Sequence, residues 1–151
     1  MIDLAKAEAA LEPHRGDETA LITALQDVQD EYNWLPPEAI RLTGERLGVP
    51  VTRVLRVATF FKSFSLEPRG QHICQVCMGT ACHVRGAPRV LEELERRLGV
   101  PAGRTTPDLR FTLETVNCLG ACALGPIVVL DGEYHEAMTA AKVARLMKQV
   151  D

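Results

Sequence analysis

The apolar positions in the first seventy residues recur at the spacing of amphipathic helices. One helix is predicted to start at an N-cap, Asp17, and to end before Pro36-Pro37. Its apolar face consists of Leu21, Leu25, Val28 and Tyr32. Pro37 suits the first turn of a second helix, and Gly48 followed by Pro50 ends it.

A third helix carries the most apolar stripe in this half of the chain. Thr52 is predicted to cap it, and the residues predicted to face inward are Val54, Leu55, Ala58 and Phe61, continued by Phe64. We therefore expect residues 1–70 to form a small helical bundle.

From His72 onward the pattern becomes a mixture of strands and helices. A strand is predicted over His72–Cys77, followed by a helix with Pro88 in its first turn and Gly99 at its end. The apolar face of that helix is Val90, Leu91, Leu94 and Leu98. A second strand with one buried and one solvated side is predicted where Leu109, Phe111 and Leu113 alternate with Arg110, Thr112 and Glu114.

The C-terminal part predicts a hairpin and a last helix. Pro126–Leu130 and Glu133–His135 flank Asp131-Gly132, which favours a two-residue β-turn. Thr139 is predicted to cap the helix, whose apolar face is Val143, Leu146, Met147 and Val150. We therefore expect residues 71–151 to form an α+β or α/β sandwich, with helices against a short sheet.

Composition and charge argue against several classes of function. The 151 residues are 46% hydrophobic, which is ordinary for a globular protein, and the net charge of −3 provides no attractive field for nucleic acid or anionic lipid. The longest purely apolar run, Ile127–Leu130, is far too short to cross a membrane. The first twelve residues lack the basic start and apolar core of an export signal, so we expect a cytoplasmic location.

Four of the five cysteines form two close pairs. Four residues separate Cys77 from Cys82, three separate Cys118 from Cys122, and each pair follows a predicted strand. Loops that leave neighbouring strand ends can meet, so we expect four thiolates to converge on one metal site. Glycines inside both intervals allow backbone N–H groups to point at sulfur.

Two kinds of metal centre fit four thiolates. A [2Fe–2S] cluster with Cys₄ ligation would carry about −2 charge, and about −3 after one electron is added. Structural zinc also takes four cysteines, but usually with shorter spacing within each pair, so spacing alone favours iron–sulfur only modestly. A Rieske centre is rejected, because its two histidine ligands have no counterpart after the second pair.

The remaining residues supply no further chemistry. Cys74 is predicted to be a small buried side chain in a strand, and His72, His83 and His135 have no partner spacing. The sequence has no Gly-rich dinucleotide or phosphate motif and no nucleophile–base arrangement. We therefore expect an electron-carrying subunit with no catalytic residues and no activity of its own.

The amino-acid sequences of both cysteine segments are distinctive. They read Cys77-Met-Gly-Thr-Ala-Cys82-His-Val-Arg-Gly86 and Thr112-Leu-Glu-Thr-Val-Asn-Cys118-Leu-Gly-Ala-Cys122. These runs resemble the 24-kDa-subunit family of NADH dehydrogenases, the thioredoxin-like [2Fe–2S] ferredoxins. The resemblance extends to the N-terminal half, through Leu35-Pro-Pro-Glu-Ala-Ile40 and Val57-Ala-Thr-Phe-Phe61.

The resemblance implies a fold, a cofactor and a partner. The fold would be an N-terminal helical bundle, residues 1–70, that docks partners, followed by a thioredoxin-like [2Fe–2S] domain, residues 71–151. The cluster would be held by Cys77, Cys82, Cys118 and Cys122. The partner would be a flavoprotein subunit that carries FMN, the NAD(P)H site and further iron–sulfur centres.

The resemblance also names candidate complexes. The sequence of these runs is most similar to the small subunits of soluble or electron-bifurcating hydrogenases. A complex I-like NADH dehydrogenase module and an NAD-dependent formate dehydrogenase are the alternatives. Phe61, where the family often has tyrosine, and the additional Cys74 depart from the pattern. The thioredoxin-like fold further predicts a cis peptide bond at Gly125-Pro126.

Two functions of other classes remain as alternatives. The segment from Arg41 to Lys62 has a net charge of +4, which suits a redox-sensing DNA-binding regulator with two short helices. A zinc-stabilised interaction module would use the same four thiolates around a redox-silent ion.

Overall fold

Helices make up the first part of the chain. The computed structural model describes residues 2–150, and its contacts separate a first unit, ending at Arg69, from a second unit that begins at Gly70. The α-helices described in the first unit are α1 (Leu4–Leu11), α2 (Leu21–Tyr32), α3 (Pro37–Leu47) and α4 (Val51–Phe60).

Local signals account for most of these helix ends. The Asp17 carboxylate accepts the Thr19 N–H at 2.9 Å and starts a short 3₁₀ turn that leads into α2. Asn33 and Gly48 end α2 and α3 in the left-handed conformation, with φ of 63° and 77°. The predicted second helix, from Pro37 to Gly48, is confirmed.

The core of the first unit is a continuous apolar cluster. It receives side chains from all four helices and from the segments that follow α2, α3 and α4. Its largest fully buried members are Leu11, Leu25, Leu35, Leu47, Val28 and Val54. Packing of these faces, more than helix propensity, stabilises helices of eight to twelve residues.

Three predictions for the third helix are wrong. Thr52 lies inside α4, because the helix begins at Val51 directly after Pro50. Leu55 is 39% exposed and Phe61 37% exposed, although the apolar stripe predicts that both face inward. The buried residues of α4 are Val54 and Ala58, four residues apart on one side of the helix. The buried face is therefore narrower than the apolar stripe. The sequence pattern does not predict helix α1.

The second unit contains a mixed five-stranded sheet in the order β2-β3-β1-β4-β5. Strands β1 and β3 are parallel, whereas the other neighbouring pairs are antiparallel. The strands are β1 (His72–Cys77), β2 (Arg104–Thr105), β3 (Phe111–Val116), β4 (Val128–Leu130) and β5 (Glu133–His135), and the helices are α5 (Thr80–Val84), α6 (Ala87–Leu98) and α7 (Ala140–Val150).

Helices α6 and α7 pack against this sheet through the apolar faces that the sequence predicts. The buried residues include Val90 and Leu94 of α6, Leu113 of β3, and Val143 and Met147 of α7. The hairpin is confirmed, with Asp131 and Gly132 at φ of 51° and 87°. The predicted cap is also confirmed, because the Lys142 N–H donates to Thr139 Oγ1 at 3.3 Å.

The prediction for the second strand is wrong in part. Leu109 precedes β3, has a φ of 55° and is half exposed. Thr112 is buried, because the Gly70 N–H donates to its hydroxyl at 2.7 Å and the chain at Gly70 passes close to the backbone of Phe111. The sequence pattern predicts neither strand β2 nor helix α5.

Among residues 2–150, no helix has the length and apolar composition needed to cross a membrane.

Candidate metal centre

Parallel pairing of β1 and β3 brings the two cysteine segments to one edge of the sheet. Cys77 is the last residue of β1 and lies opposite Val116, the last residue of β3. The Met78 N–H donates to the Val116 carbonyl at 2.8 Å, so the chains remain side by side as both strands end. Cys118 follows two residues later, and the first segment turns into α5, which contains Cys82.

Two glycines allow the segments to pack closely. A Cβ at Gly79 would lie 2.4 Å from the carbonyl oxygen of Asn117, which is closer than real contacts allow. A Cβ at Gly125 would lie 2.8 Å from Cys82 Sγ and 3.4 Å from the Cys122 carbonyl oxygen. At both positions, the absence of a side chain allows the backbone of one cysteine segment to pack closely against the other segment.

The two pairs differ in exposure. Cys77 and Cys82 are each 2% exposed, whereas Cys118 and Cys122 are exposed at the surface. The sulfur atoms of Cys118 and Cys122 lie 3.9 Å apart. The site therefore has one thiol pair inside the protein and one pair at the surface.

Backbone N–H groups point at sulfur. The Gly120 N–H donates to Cys118 Sγ at 3.3 Å. Burial alone would raise the pKa of the Cys77 thiol, but N–H groups of Gly79 and Leu119 and the Cys82 thiol outweigh burial and lower this pKa. A site that favours the anionic form of an interior sulfur suits metal binding, because the thiolate is the ligand.

Negative charge on one cysteine raises the pKa of its neighbours. Burial is the largest cause of the raised pKa of Cys82, and negative charge on Cys77 and Cys122 raises it further. The pKa of Cys122 is raised chiefly by the hydrogen bond with Cys118 and by its charge, with a contribution from Cys77. Repulsion among neighbouring thiolates is relieved when a cation binds between them.

The arrangement supplies thiols as two pairs. Four thiolates are the donor set that a [2Fe–2S] centre with Cys₄ ligation would take, so the residues present fit this group. Across residues 2–150, no group of three or more His, Cys, Asp or Glu side chains meets the geometry of a metal-ion site.

Cys74, the cysteine outside the two pairs, lies in a strand and is buried, as the sequence predicts. Cys74 is fully buried in β1, and burial with the nearby Asp131 carboxylate raises the pKa of this thiol to about 12. His72 Nδ1 lies 2.7 Å from Asp131 Oδ2, while His83 is exposed and His135 half-buried. The cis peptide bond predicted at Gly125-Pro126 is confirmed.

Arg85 is a site residue that the sequence analysis missed. Its Nη1 donates to the carbonyl oxygens of Cys122 and Ala123, both at 2.9 Å. The contact joins residues 37 and 38 positions apart in the chain, and no periodicity or motif spacing signals such a contact. The one available signal in the sequence is that Arg85 lies three residues after Cys82, a predicted ligand.

Comparison with known proteins identifies a family and several relatives. A family model for the thioredoxin-like [2Fe–2S] ferredoxins matches residues 7–151. The chain is 34% identical over 129 residues to the NADP-reducing hydrogenase subunit HndA of Solidesulfovibrio fructosivorans, covering 85% of this chain and 75% of that protein. It is 40% identical over 129 residues to a subunit of the NADH-quinone oxidoreductase of Pseudomonas aeruginosa, covering 85% of this chain and 78% of that protein.

Solved structures share the fold. A crystal structure of NAD⁺-reducing [NiFe]-hydrogenase in the air-oxidized state superposes with a TM-score of 0.76 at 18% identity. The match covers 91% of this chain but only 23% of the hydrogenase chain. The present chain therefore corresponds in fold to less than a quarter of that larger polypeptide.

Proposed function

The chain belongs to the thioredoxin-like [2Fe–2S] ferredoxin family, and on that premise we propose that it is the one-electron-transfer subunit of a multi-subunit NAD(P)H-linked flavoprotein oxidoreductase. The observation that carries the proposal is the convergence of two cysteine pairs at one edge of the sheet. Relatives that are subunits of an NADP-reducing hydrogenase and of NADH-quinone oxidoreductases support it.

Cys77, Cys82, Cys118 and Cys122 would hold the cluster, two from each segment. When bound, a [2Fe–2S] cluster supplies one-electron oxidation and reduction. The Gly79, Leu119 and Gly120 N–H groups stabilise negative charge on the ligating sulfurs, which lowers the cost of adding an electron. The exposed pair, Cys118 and Cys122, gives a redox partner close access, while the buried pair excludes water from the other side.

The reaction of the complete enzyme belongs to other subunits in this proposal. FMN and the NAD(P)H site lie on a flavoprotein partner, and this chain relays electrons without catalytic residues of its own. The complex is a soluble or electron-bifurcating hydrogenase or a complex I-like NADH dehydrogenase module. An NAD-dependent formate dehydrogenase is a further candidate that uses the same relay.

The helical unit offers a surface for that flavoprotein. A groove of about 190 Å³ is lined by Leu35, Ile40, Leu55 and Leu66, with Arg41 as its charged member. Among the described residues, Arg46 and Arg53 are paired with Glu8 and Glu18, but Arg41 has no ion pair. The groove therefore suits an apolar side chain flanked by carboxylates on the flavoprotein subunit.

The same ion pairs weaken the case for DNA binding. Pairing of Arg46 and Arg53 with carboxylates neutralises two of the five cationic side chains between Arg41 and Lys62. What remains is a small basic surface beside an apolar groove, which is more typical of protein contact than of a phosphate backbone.

Anaerobic purification followed by metal analysis and absorption spectroscopy tests the proposal. We expect a reddish-brown protein with about two irons and two sulfides per chain, whose visible absorption bleaches on one-electron reduction by dithionite. A colourless protein with one zinc per chain would instead support the zinc-stabilised module and overturn the proposal.

A further inference from the structure

Arg85 connects the two cysteine segments. Its backbone N–H donates to the Ala81 carbonyl at 3.2 Å, which fixes it at the end of α5, three residues after Cys82. Its side chain crosses to the other segment, where Nη1 donates to the carbonyls of Cys122 and Ala123. A single guanidinium therefore fixes the backbone that carries Cys122, one of the two exposed cysteines.

Within the described part of the chain, no carboxylate neutralises the charge of Arg85. Residues 75–91 and 117–130, which contain both cysteine pairs, include no Asp or Glu. No ion pair within residues 2–150 involves Arg85. A positive charge thus lies at the Cys122 backbone, in a part of the protein that would gain negative charge whenever the cluster is reduced.

We propose that Arg85 is a positioning residue of the cluster site, which holds the second cysteine segment against the first and raises the reduction potential of the cluster. The proposal rests on the function proposed above. A guanidinium is suited to both roles, because its Nη1 donates to two carbonyls at once and it remains charged at any physiological pH. The electron added to the cluster comes from the partner, and Arg85 neither donates nor accepts a proton.

The two roles make separate predictions for substitutions. Arg85→Met removes both hydrogen bonds and the charge, so the cluster should be released to a chelator at least about tenfold faster, because even one charged hydrogen bond contributes about 1.5 kcal/mol. The midpoint potential should become more negative. Arg85→Lys keeps the charge but removes the planar Nη1 donor, so the midpoint potential should stay near that of the unsubstituted protein while the cluster is released faster.

Arg89→Met is the matched control. Arg89 is exposed on α6, as Arg85 is at the end of α5, and its substitution changes the net charge by the same amount without removing the contact with Cys122 and Ala123. Anaerobic redox titration and chelator release are measured on all three variants of the full chain. If Arg85→Met equals Arg89→Met in either the potential or the release rate, the proposal is wrong.

A separate measurement keeps this test independent of the cluster assignment. In cluster-free protein, hydrogen exchange at the amides of residues 122–125 should be faster in Arg85→Met than in Arg89→Met, because the segment has lost its anchor. Equal exchange would refute the positioning role. A wild-type protein that binds no iron would overturn the proposed function but leave this comparison valid.

Discussion

Individual side chains at the candidate site differ in how well the sequence predicts them. The four paired cysteines are identifiable because metal-ligand spacing is local in sequence, and Cys74 because it occupies a position in a strand. Arg85 and Gly125 are not identifiable in this way. Their roles depend on contacts with a distant segment, which exist only once the chain has folded.

Replacement of each cysteine tests the ligand assignment at this scale. Cys77→Ser, Cys82→Ser, Cys118→Ser and Cys122→Ser should each lose most of the iron, because one thiolate ligand is missing. The matched control is Cys74→Ala, which removes a buried sulfur at a cost of about 1 kcal/mol in stability but leaves the cluster assembled. Iron and sulfide content with the absorption spectrum is the measurement. Equal iron loss in Cys74→Ala would mean that the ligands are misassigned.

Among the elements, long regular segments are predictable and short or unusual ones are not. Strand β1, helix α3 and the Asp131-Gly132 hairpin follow from periodicity and turn chemistry. Strand β2, with two residues, carries no periodic signal of its own, and helix α5, with five, is too short to show one. Thr112 is buried because the backbone at Gly70 packs against it and donates a hydrogen bond to its hydroxyl. This contact joins residues far apart in the chain, so no local sequence pattern predicts it.

Contact between the two cysteine segments is tested by a substitution at Gly79. Gly79→Ala places a Cβ against the Asn117 carbonyl, so we expect the segments to separate, with less iron bound and a free energy of unfolding lower by about 1–3 kcal/mol. The backbone of Gly79, with φ of −58°, is acceptable to alanine, so the clash alone causes the effect. Gly48→Ala is the control for general destabilisation. It strains a φ of 77° in the helical unit at a cost of about 1–2 kcal/mol and should leave the iron content unchanged.

For the whole molecule, the structure gives each unit a separate core and a separate surface feature. The helical unit carries an apolar groove with Arg41 in its lining, and the second unit carries both cysteine pairs. Sequence patterns predict a bundle and a sandwich. They do not predict the groove, because it depends on Leu55 being left outside the core.

Binding to the flavoprotein subunit is tested by a substitution in the groove. Leu55→Ser should weaken the complex about tenfold, since burying the exposed part of a leucine side chain in an interface contributes on the order of 1 kcal/mol or slightly more. Ile22→Ser, at a similarly exposed apolar position on α2, serves as the control. Binding is measured by titration of the full chain with its flavoprotein partner. Equal affinities for the two variants would exclude the groove from the interface.

The unequal burial of the two cysteine pairs gives the proposed centre an inner and an outer face. A cluster held in this way is approached by redox partners from the solvent side, and dioxygen and chelators reach it from that side as well. Damage would therefore begin at the outer ligands, Cys118 and Cys122, while Cys77 and Cys82 stay shielded from solvent. A protein that covers this face during electron transfer would at the same time protect the cofactor, so assembly into a complex would extend its lifetime in air.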